Sequence, residues 1–309
     1  MRRYRLSHVT RYEYEMPVSY AHHMARLRPR TLPHQRVLES RLTSSPMPTT
    51  VRSGRDYFGN HTDFLELSVA HELLEVRTSS VVELEHRADL EQACRGRVTW
   101  EEAARRLRED PSLVEARELC FDSPLARTHA ALGDYAHDVF TPGRDLGEAL
   151  LDFNQKIHAE FRYEPGVTEV STPLAQVLRE RRGVCQDFAH LAIAALRSLG
   201  LAARYVSGYL ETLPPPGQPR LVGADASHAW ASAYVPGVGW VDFDPTNATL
   251  PNDRHVTLAW GRDFSDATPF KGVILGGGRH ILSVSVDVVY EPPGRSGAPS
   301  HAPLIALER

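Results

Sequence analysis

The amino-acid sequence predicts an α+β fold in which a β-rich N-terminal domain precedes a mixed core. Residues 1–95 contain repeated short runs that alternate polar and apolar side chains, which is the period of a strand. From about residue 98 the apolar positions recur at helical spacing, and β-like runs return after residue 201. Strands and helices that are segregated along the chain in this way are typical of α+β proteins.

Composition and charge narrow the class of protein. The chain has 309 residues, of which 42% are hydrophobic and 24% charged, as in ordinary globular proteins. The formal net charge is −4, so there is no basic excess to attract nucleic acid or an anionic membrane surface. We therefore expect neither nucleic acid nor a membrane among its partners. Composition says nothing about the oligomeric state.

The cysteines and the N-terminus predict the compartment. Cys94, Cys120 and Cys185 are far apart and form no C-x-x-C pair, which argues against a disulfide framework and against a structural zinc site. The first residues lack the apolar core of a secretory signal, and no run reaches the ~18 apolar residues of a membrane span. These features predict a reduced, cytoplasmic protein.

The N-terminal strands are indicated by strict alternation. One side of the first run is formed by Tyr4, Leu6, His8, Thr10, Tyr12 and Tyr14. The stretch FLELSVAHELLEVRTSSVVELEH shows further short alternating runs, and Gly59-Asn60 supplies a turn between strands.

Helices follow the β-rich part. Thr99 with Glu102 three residues later forms a capping-box pattern at the start of the first helix, and a second helix is expected from Ser123 to Val139. A third, amphipathic helix has apolar residues at helical spacing before Pro165: Leu146, Leu150, Phe153, Ile157 and Phe161.

The next predicted helix boundary places a cysteine at the start of a helix. In STPLAQVLRERRG, Thr172 is expected to cap a helix, Pro173 to occupy its first position and Gly183 to follow its end. A new helix must then begin at Cys185. The N–H groups and partial positive charge of a helix N-terminus favour a thiolate and can stabilise an oxyanion beside it.

The remaining chain is mostly β. Residues 201–210 read as a strand, the segment LPPPGQP at 213–219 as a proline-rich surface loop bordering the cleft, and short strands surround His228 and Trp240. Two later β runs follow, and the triple glycine at 276–278 reads as a turn because no lysine follows it. We divide the chain into a β-rich domain at 1–95, a core at 96–293 whose last strands return to the β part, and a mobile tail at 294–309.

The strands around His228 and Trp240 form a hairpin whose loop length decides which side chains meet. A two-residue loop would set Asp244 on the face opposite to that of His228, whereas a three-residue loop pairing Val235 with Gly239 would set it diagonal to His228. Alternation alone does not separate Asp242 from Asp244. With either aspartate, a cysteine, a histidine and an acid follow in the order of a thiol acyl-transfer triad.

Three blocks in this order carry a resemblance to a known family. The segments GVCQDFAHLAIAALRSLGLAARYVSGYL and SHAWASAYVPGVGWVDFDPTN resemble the transglutaminase-like superfamily, which shares a papain-like cysteine core. The β-rich start and the last strands resemble a bacterial branch with an N-terminal β domain. The resemblance implies a central helix packed on an antiparallel sheet, with Cys185 as nucleophile, His228 as base and Asp244 as orienting acid.

The resemblance also implies further site residues, whereas the sequence lacks the motif for the cation that some members use. Tyr209 and Trp240 are expected to line the substrate site, and Trp230 and Gln186 are additional candidates. Animal members are calcium-activated, but no D-x-[DN]-x-[DN]-G loop is present, so neither calcium nor another cofactor is expected. A metal site at Cys185, His228 and Asp244 is disfavoured by the ligand spacing.

Several other polar residues have structural interpretations that are preferred to catalytic ones. Gln186 and Asp187 occupy a first helical turn, where a carboxylate usually stabilises the helix dipole. His158 and His190 are single histidines on helices, for which core or surface positions are expected.

Three functions follow from these predictions. The first is a cysteine amidase or peptidase that acts on a peptide or protein amide through an acyl-enzyme. The second is a transglutaminase, in which an amine replaces water as acyl acceptor. The third is a peptide-binding module with an idle triad. Hydrolysis is preferred because bacterial relatives of this fold are often regarded as proteases or amidases, and the sequence does not identify the substrate.

Overall fold

A computed structural model describes residues 1–87, 89–212 and 227–292 of the chain. The proline-rich loop at 213–219 and the tail at 294–309 lie outside the described residues. The helices are α1 (Leu90–Cys94), α2 (Trp100–Glu109), α3 (Val114–Arg117), α4 (Ala130–His137), α5 (Leu146–Glu160), α6 (Leu174–Glu180), α7 (Cys185–Ser198) and α8 (Phe264–Ala267).

The strands fall into an N-terminal and a later group. The first group is β1 (Arg2–Ala25), β2 (Gln35–Ser45), β3 (Thr50–Arg55), β4 (His61–Leu67) and β5 (His71–Leu84). The second is β6 (Arg162–Tyr163), β7 (Arg182–Gly183), β8 (Ala203–Leu210), β9 (Ser227–Val235), β10 (Gly239–Phe243), β11 (His255–Gly261), β12 (Phe270–Gly276) and β13 (His280–Glu291).

The N-terminal sheet is organised around the long strand β1. Its neighbours are β4 and β5, with β3 and β2 outside them, and both β12 and β13 return from the end of the chain to pair with β1. The alternating residues predicted for one face of β1 are buried at Tyr4, Leu6, His8, Thr10 and Tyr14 and half-buried at Tyr12. Three consecutive glycines with positive φ, at 276–278, turn the chain between β12 and β13.

The central helix α7 packs on a four-stranded antiparallel sheet in the order β10-β9-β8-β11. Small residues on β9, Ala229, Ala231 and Ala233, belong to the same buried cluster as the apolar residues of α7. Methyl side chains on this strand let the helix lie close to the sheet. The cluster also includes Tyr4 and Val288 of the N-terminal sheet, so the two sheets share one core.

Two side-chain amides from the N-terminal sheet and its loops bind the outer strand β11. The amide of Gln35 bonds the backbone carbonyl and N–H of Thr257, at 2.7 and 2.8 Å. Asn60 bonds the carbonyl and N–H of Trp260 in the same way, at 2.7 and 2.9 Å. Both amides are fully buried. They satisfy backbone groups that would otherwise remain unpaired at the edge of the sheet.

Two predicted helix starts differ from the structure. The helix expected from Ser123 begins only at Ala130, because the guanidinium of Arg197 binds the hydroxyl of Ser123 and the carbonyl of Ala126 and holds that segment in a turn. Pro173 is the N-cap of α6 rather than its first residue. By contrast, the Thr99 cap of α2, which accepts from the Glu102 N–H, and the start of α7 at Cys185 agree with the prediction.

Candidate active site

The chain reaches Cys185 through a tight sequence of turns. α6 ends at Arg181 in the left-handed conformation, with φ 53°, and the two-residue strand β7 then pairs with β6 beside the end of α5. Val184 is extended, and its N–H donates to the carboxylate of Asp187 at 2.8 Å. This bond caps the helix, and Cys185 becomes the first residue of α7.

Asp187 therefore has the structural role that was preferred for it. It is buried, and its carboxylate also accepts a hydrogen bond from the Thr168 hydroxyl at 2.6 Å. Burial raises the pKa of this carboxyl. Gly183 leaves room for it, because a Cβ there would lie 2.6 Å from Asp187 Oδ2. Gly183 and Asp187 together fix the turn that presents the thiol.

The hairpin that carries His228 has the three-residue connection. Val235 pairs with Gly239, and Phe243 pairs with Ala231. The next residue, Asp244, therefore projects from the face that carries His228, as predicted for a three-residue loop. Gly239, with φ 99°, takes a conformation that a residue with a Cβ rarely adopts.

The imidazole of His228 connects the thiol to a buried carboxylate. Its Nε2 atom lies 2.8 Å from Oδ2 of Asp244, and Cys185 is near enough to contribute to the raised pKa of the ring. With Nε2 occupied, Nδ1 is the nitrogen available to the sulfur. Burial lowers the pKa of His228, but the hydrogen bonds with Asp244 and Cys185 and attraction to both residues outweigh it and raise the pKa to about 10.

The carboxylate of Asp244 accepts hydrogen bonds from several surrounding groups. Its Oδ1 accepts the backbone N–H groups of Thr246 and Asn247, at 3.0 and 3.3 Å, and its Oδ2 accepts the Asn247 amide at 2.7 Å and His255 Nε2 at 3.1 Å. Burial would raise the pKa of this carboxyl, but its bonds to His228 and His255 keep the pKa well below its usual range. The charged carboxylate is thus stabilised although it is fully buried.

His255 and Asn247 were missed in the sequence. Asn247 follows Asp244 within one turn, so its proximity could have been expected from the D-P-T-N run. His255 opens a different strand, β11, which lies at the opposite edge of the sheet from β10, and its Nε2 still reaches Asp244. No local pattern marks it. His158 is far more distant in sequence, and its Nδ1 lies 2.8 Å from the carbonyl of Thr246, in the loop that holds Asp244.

Asp242, the alternative acid, is not at the His228 ring. Its Oδ2 accepts the indole N–H of Trp230 at 3.1 Å. Trp230 is itself fully buried, and its ring lies so close to Gly208 that a Cβ there would approach it to 2.4 Å. Asp242 of β10 and Asp244, which directly follows this strand, therefore project from the same face but bind different partners.

The residues proposed to line the substrate site occupy different environments. Tyr209 is 1% exposed and bonds Nδ1 of His8 through its hydroxyl at 2.9 Å, and Trp230 is 0% exposed. Neither presents surface to a substrate, so both are better described as supports beneath the site. Gln186 is half-buried in the first turn of α7, and Trp240 is half-buried with its ring edge-on to Tyr234.

A metal ion could be held by three neighbouring residues. Ligand atoms of His228, Asp244 and His255 all lie within 4.8 Å of one another. These atoms already form hydrogen bonds with one another, and a metal ligand must be a deprotonated imidazole. The raised pKa of His228 favours the protonated ring and therefore opposes metal binding.

His190 has a core role, one of the two that were expected for it. Burial lowers its pKa to about 4, and its Nε2 accepts the backbone N–H of Phe264 at 3.1 Å.

The helices of the described ranges include none long and apolar enough to cross a membrane.

A cysteine-headed helix packed on an antiparallel sheet that carries a paired histidine and aspartate is a transglutaminase-like fold. Family models agree: residues 4–83 match the bacterial transglutaminase-like N-terminal region, and residues 133–245 match the transglutaminase-like superfamily. The chain belongs to the transglutaminase-like superfamily, in the bacterial branch with that N-terminal region.

Similar proteins cover most of the chain. The uncharacterized protein Rv2569c of Mycobacterium tuberculosis is 39% identical over 293 residues, which is 93% of this chain and 92% of the relative. The protein-glutamine gamma-glutamyltransferase of Pseudomonas aeruginosa is 32% identical over 185 residues, 57% of this chain and 27% of that protein. The crystal structure of "a Putative Cysteine Protease from Cytophaga hutchinsonii" matches with a TM-score of 0.73 and 21% identity, covering 96% of this chain and 93% of that one.

Proposed function

We propose that the protein is a thiol-dependent amide or peptide hydrolase that acts through an acyl-enzyme on Cys185. The observation that carries this proposal is the chain of contacts from Cys185 to His228 and from His228 Nε2 to Asp244 Oδ2 at 2.8 Å. A nucleophile, a base and an orienting acid in mutual contact are the requirements for covalent acyl transfer.

The raised pKa of His228 means that its ring carries a proton near neutral pH. An imidazolium beside a cysteine favours the thiolate, which is the nucleophilic form. Asp244 is charged, stabilises the positive ring and fixes its orientation. When the sulfur attacks as a thiolate, no proton has to leave it in that step.

The reaction then has two steps. The sulfur attacks the amide carbonyl carbon, the C–N bond breaks, and the proton of His228 passes to the leaving amine, which leaves a thioester on Cys185. A water molecule gives a proton to His228 and attacks the thioester, which releases the carboxylic acid and restores the thiolate. First-turn N–H groups of α7 would stabilise the oxyanion of both intermediates, since they have no acceptor within the helix.

A second candidate is supported by one relative. The Pseudomonas aeruginosa protein is named a protein-glutamine gamma-glutamyltransferase, and it matches 57% of this chain. In that reaction an amine attacks the thioester in place of water, and an isopeptide bond forms. The triad residues would have the same roles.

The experiment that separates these functions is a mass measurement on glutamine-containing peptides with and without an added primary amine. Peptide cleavage or loss of ammonia with gain of water supports hydrolysis, and gain of the amine with loss of ammonia supports transfer. A Cys185→Ala variant is the control. Turnover that survives in this variant, or an absence of any product with the parent protein across a broad peptide library, would contradict an enzymatic role.

A further inference from the structure

A large cavity lies between the N-terminal β part and the four-stranded sheet. Its volume is about 1150 Å³, which is enough for a short peptide. The sheet contributes Arg204, Trp240, Asp242 and Trp260 to its lining. Asp242 of β10 and Asp244, which directly follows this strand, project from the same face, so the cavity lies on the sheet face that carries the buried acid of the triad.

Arg204 has an unusual environment in this cavity. Its guanidinium carbon lies 4.3 Å from the ring centre of Trp240 and 3.9 Å from that of Trp260, and the residue is only 8% exposed. Within the described part of the chain no acceptor takes any of its N–H groups, and its Nε is buried without a partner. Buried polar groups almost always have hydrogen-bond partners, so this guanidinium is prepared for an acceptor from outside the protein.

The nearby charges define what that acceptor is. Asp242 attracts Arg204, but its Oδ2 is engaged by Trp230, and it makes no ion pair with Arg204 among the described residues. Arg87 adds a second cation whose buried Nε lacks a partner, while its Nη2 donates to Pro251. The inner lining of the cavity therefore contains two positively charged residues, Arg204 and Arg87, and one negatively charged residue, Asp242. A planar guanidinium with free N–H groups matches a carboxylate.

The outer part of the cavity has the opposite sign. Four acids line it: Glu85, Asp89, Glu115 and Glu118. Two histidines, His34 and His86, also line it, and burial lowers the pKa of His34 to about 4. His34 is therefore neutral near pH 7. A simple anion would meet four negative charges on its way in, whereas a ligand that also carries a cationic group would be attracted by them.

We propose that this cavity binds a short peptide that presents a carboxylate to Arg204, between the two indoles, and an ammonium group to the acidic rim. The peptide's backbone and side chains would pack on Trp240 and Trp260. This site goes beyond the proposed function and does not require the Cys185 thiol to be reactive.

The proposal is tested by titrating the Cys185→Ala protein, which excludes turnover, with acetyl-lysyl-alanine at low ionic strength. Calorimetry and tryptophan fluorescence report binding. We expect saturable binding, at least about tenfold weaker binding of the C-terminal amide of the probe, and weaker binding of acetyl-norleucyl-alanine, which lacks the ammonium. Because the Cys185→Ala protein cannot form an acyl-enzyme, the binding result is independent of whether the parent enzyme hydrolyses peptides.

Variants locate the site. Arg204→Met keeps an unbranched side chain between the indoles but removes the donors, and it should weaken probe binding by about tenfold or more. Arg36→Met is the matched control, because Arg36 is 64% exposed and lies outside the cavity lining. Circular dichroism checks folding. If Arg204→Met does not fold, two other measurements test whether the carboxylate is recognised in this cavity. One compares the acid probe with its amide on the Cys185→Ala protein, and the other measures probe binding by Arg87→Met.

Three results would overturn the proposal. One is the absence of saturable binding of the acid probe, and another is equal binding of the acid and the amide. The third is displacement of the probe by inorganic phosphate at equal concentration, which would identify a general anion site. Unchanged binding by a folded Arg204→Met protein would place the peptide elsewhere and count equally against it.

Discussion

The imidazole of His228 and the carboxylate of Asp244 meet at 2.8 Å, although they are sixteen positions apart in the chain and a three-residue turn lies between them. Their contact depends on the parity of the hairpin. A shift of one residue in the pairing would turn Asp244 to the other face of the sheet. The position of Gly239 in the turn therefore bears directly on the orientation of the imidazole.

An Asp244→Asn substitution should lower turnover by up to roughly 10⁴-fold while the protein stays folded, because the amide favours the wrong tautomer of His228. Asp242→Asn is the matched control, since Asp242 lies two residues before Asp244, projects from the same face and binds Trp230 instead. We expect that variant to lose less than about tenfold. Steady-state kinetics on a peptide substrate provide the measurement, and a larger loss for Asp242→Asn would refute the assignment.

His255 should act as a positioning residue for Asp244. Its removal in His255→Ala leaves Asp244 Oδ2 without one of its donors, so we expect turnover to fall by about ten- to a hundredfold, the loss of one hydrogen bond to a charged group. His255→Gln, which can still donate, should recover part of it. The two variants are compared in kcat at matched folded fraction. Equal activities would mean that the bond to His255 has no effect on the reaction.

Cys185 should be the thiol that limiting iodoacetamide modifies first. Cys94 is buried, burial raises the pKa of Cys120 to about 11, and neither has a histidine partner among the described residues. Mass mapping after a short exposure at neutral pH gives the order of labelling. His228→Gln should slow the labelling of Cys185 and leave the other two unchanged. Faster labelling of Cys94 or Cys120 in the parent protein would argue against an activated Cys185.

The stability contributed by His228 should depend on pH with a defined sign. Its folded-state pKa, about 10, lies above the ordinary value of 6.5, so protonation favours the folded state. The stabilisation is full below about pH 6.5 and is lost as the pH rises through about 10. Urea unfolding of the parent and His228→Gln proteins should show a larger difference at about pH 6 than at about pH 10. A difference that grows with pH would mean that His228 is neutral in the folded protein.

The sequence predicted the parts of the site that depend on local chemistry. The start of α7 at Cys185 follows from the boundary of the preceding helix, and the pairing of His228 with Asp244 follows from strand alternation once the loop length is known. The choice between Asp242 and Asp244 needed the resemblance. Loop length itself was open, since a turn containing Pro236 and Gly237 suits both registers.

Contacts between distant segments could not be predicted. His255 approaches Asp244 from another strand, and the turn at Ser123 is imposed by Arg197 from α7, where local propensity alone would extend the helix. The burial of Tyr209 is a similar case, because its hydroxyl binds His8 of the first strand. Alternation shows which face a side chain occupies but not whether another layer covers that face.

The pairing of β1 has a consequence for how the protein is made. This strand begins at Arg2, yet two of its partners, β12 and β13, extend from Phe270 to Glu291. During synthesis the first strand leaves the ribosome long before these partners exist. One of its edges must therefore stay unpaired until the chain has been translated as far as Glu291. An exposed edge of this length can recruit other strands. The nascent chain is therefore expected to need protection by chaperones until its last strands arrive.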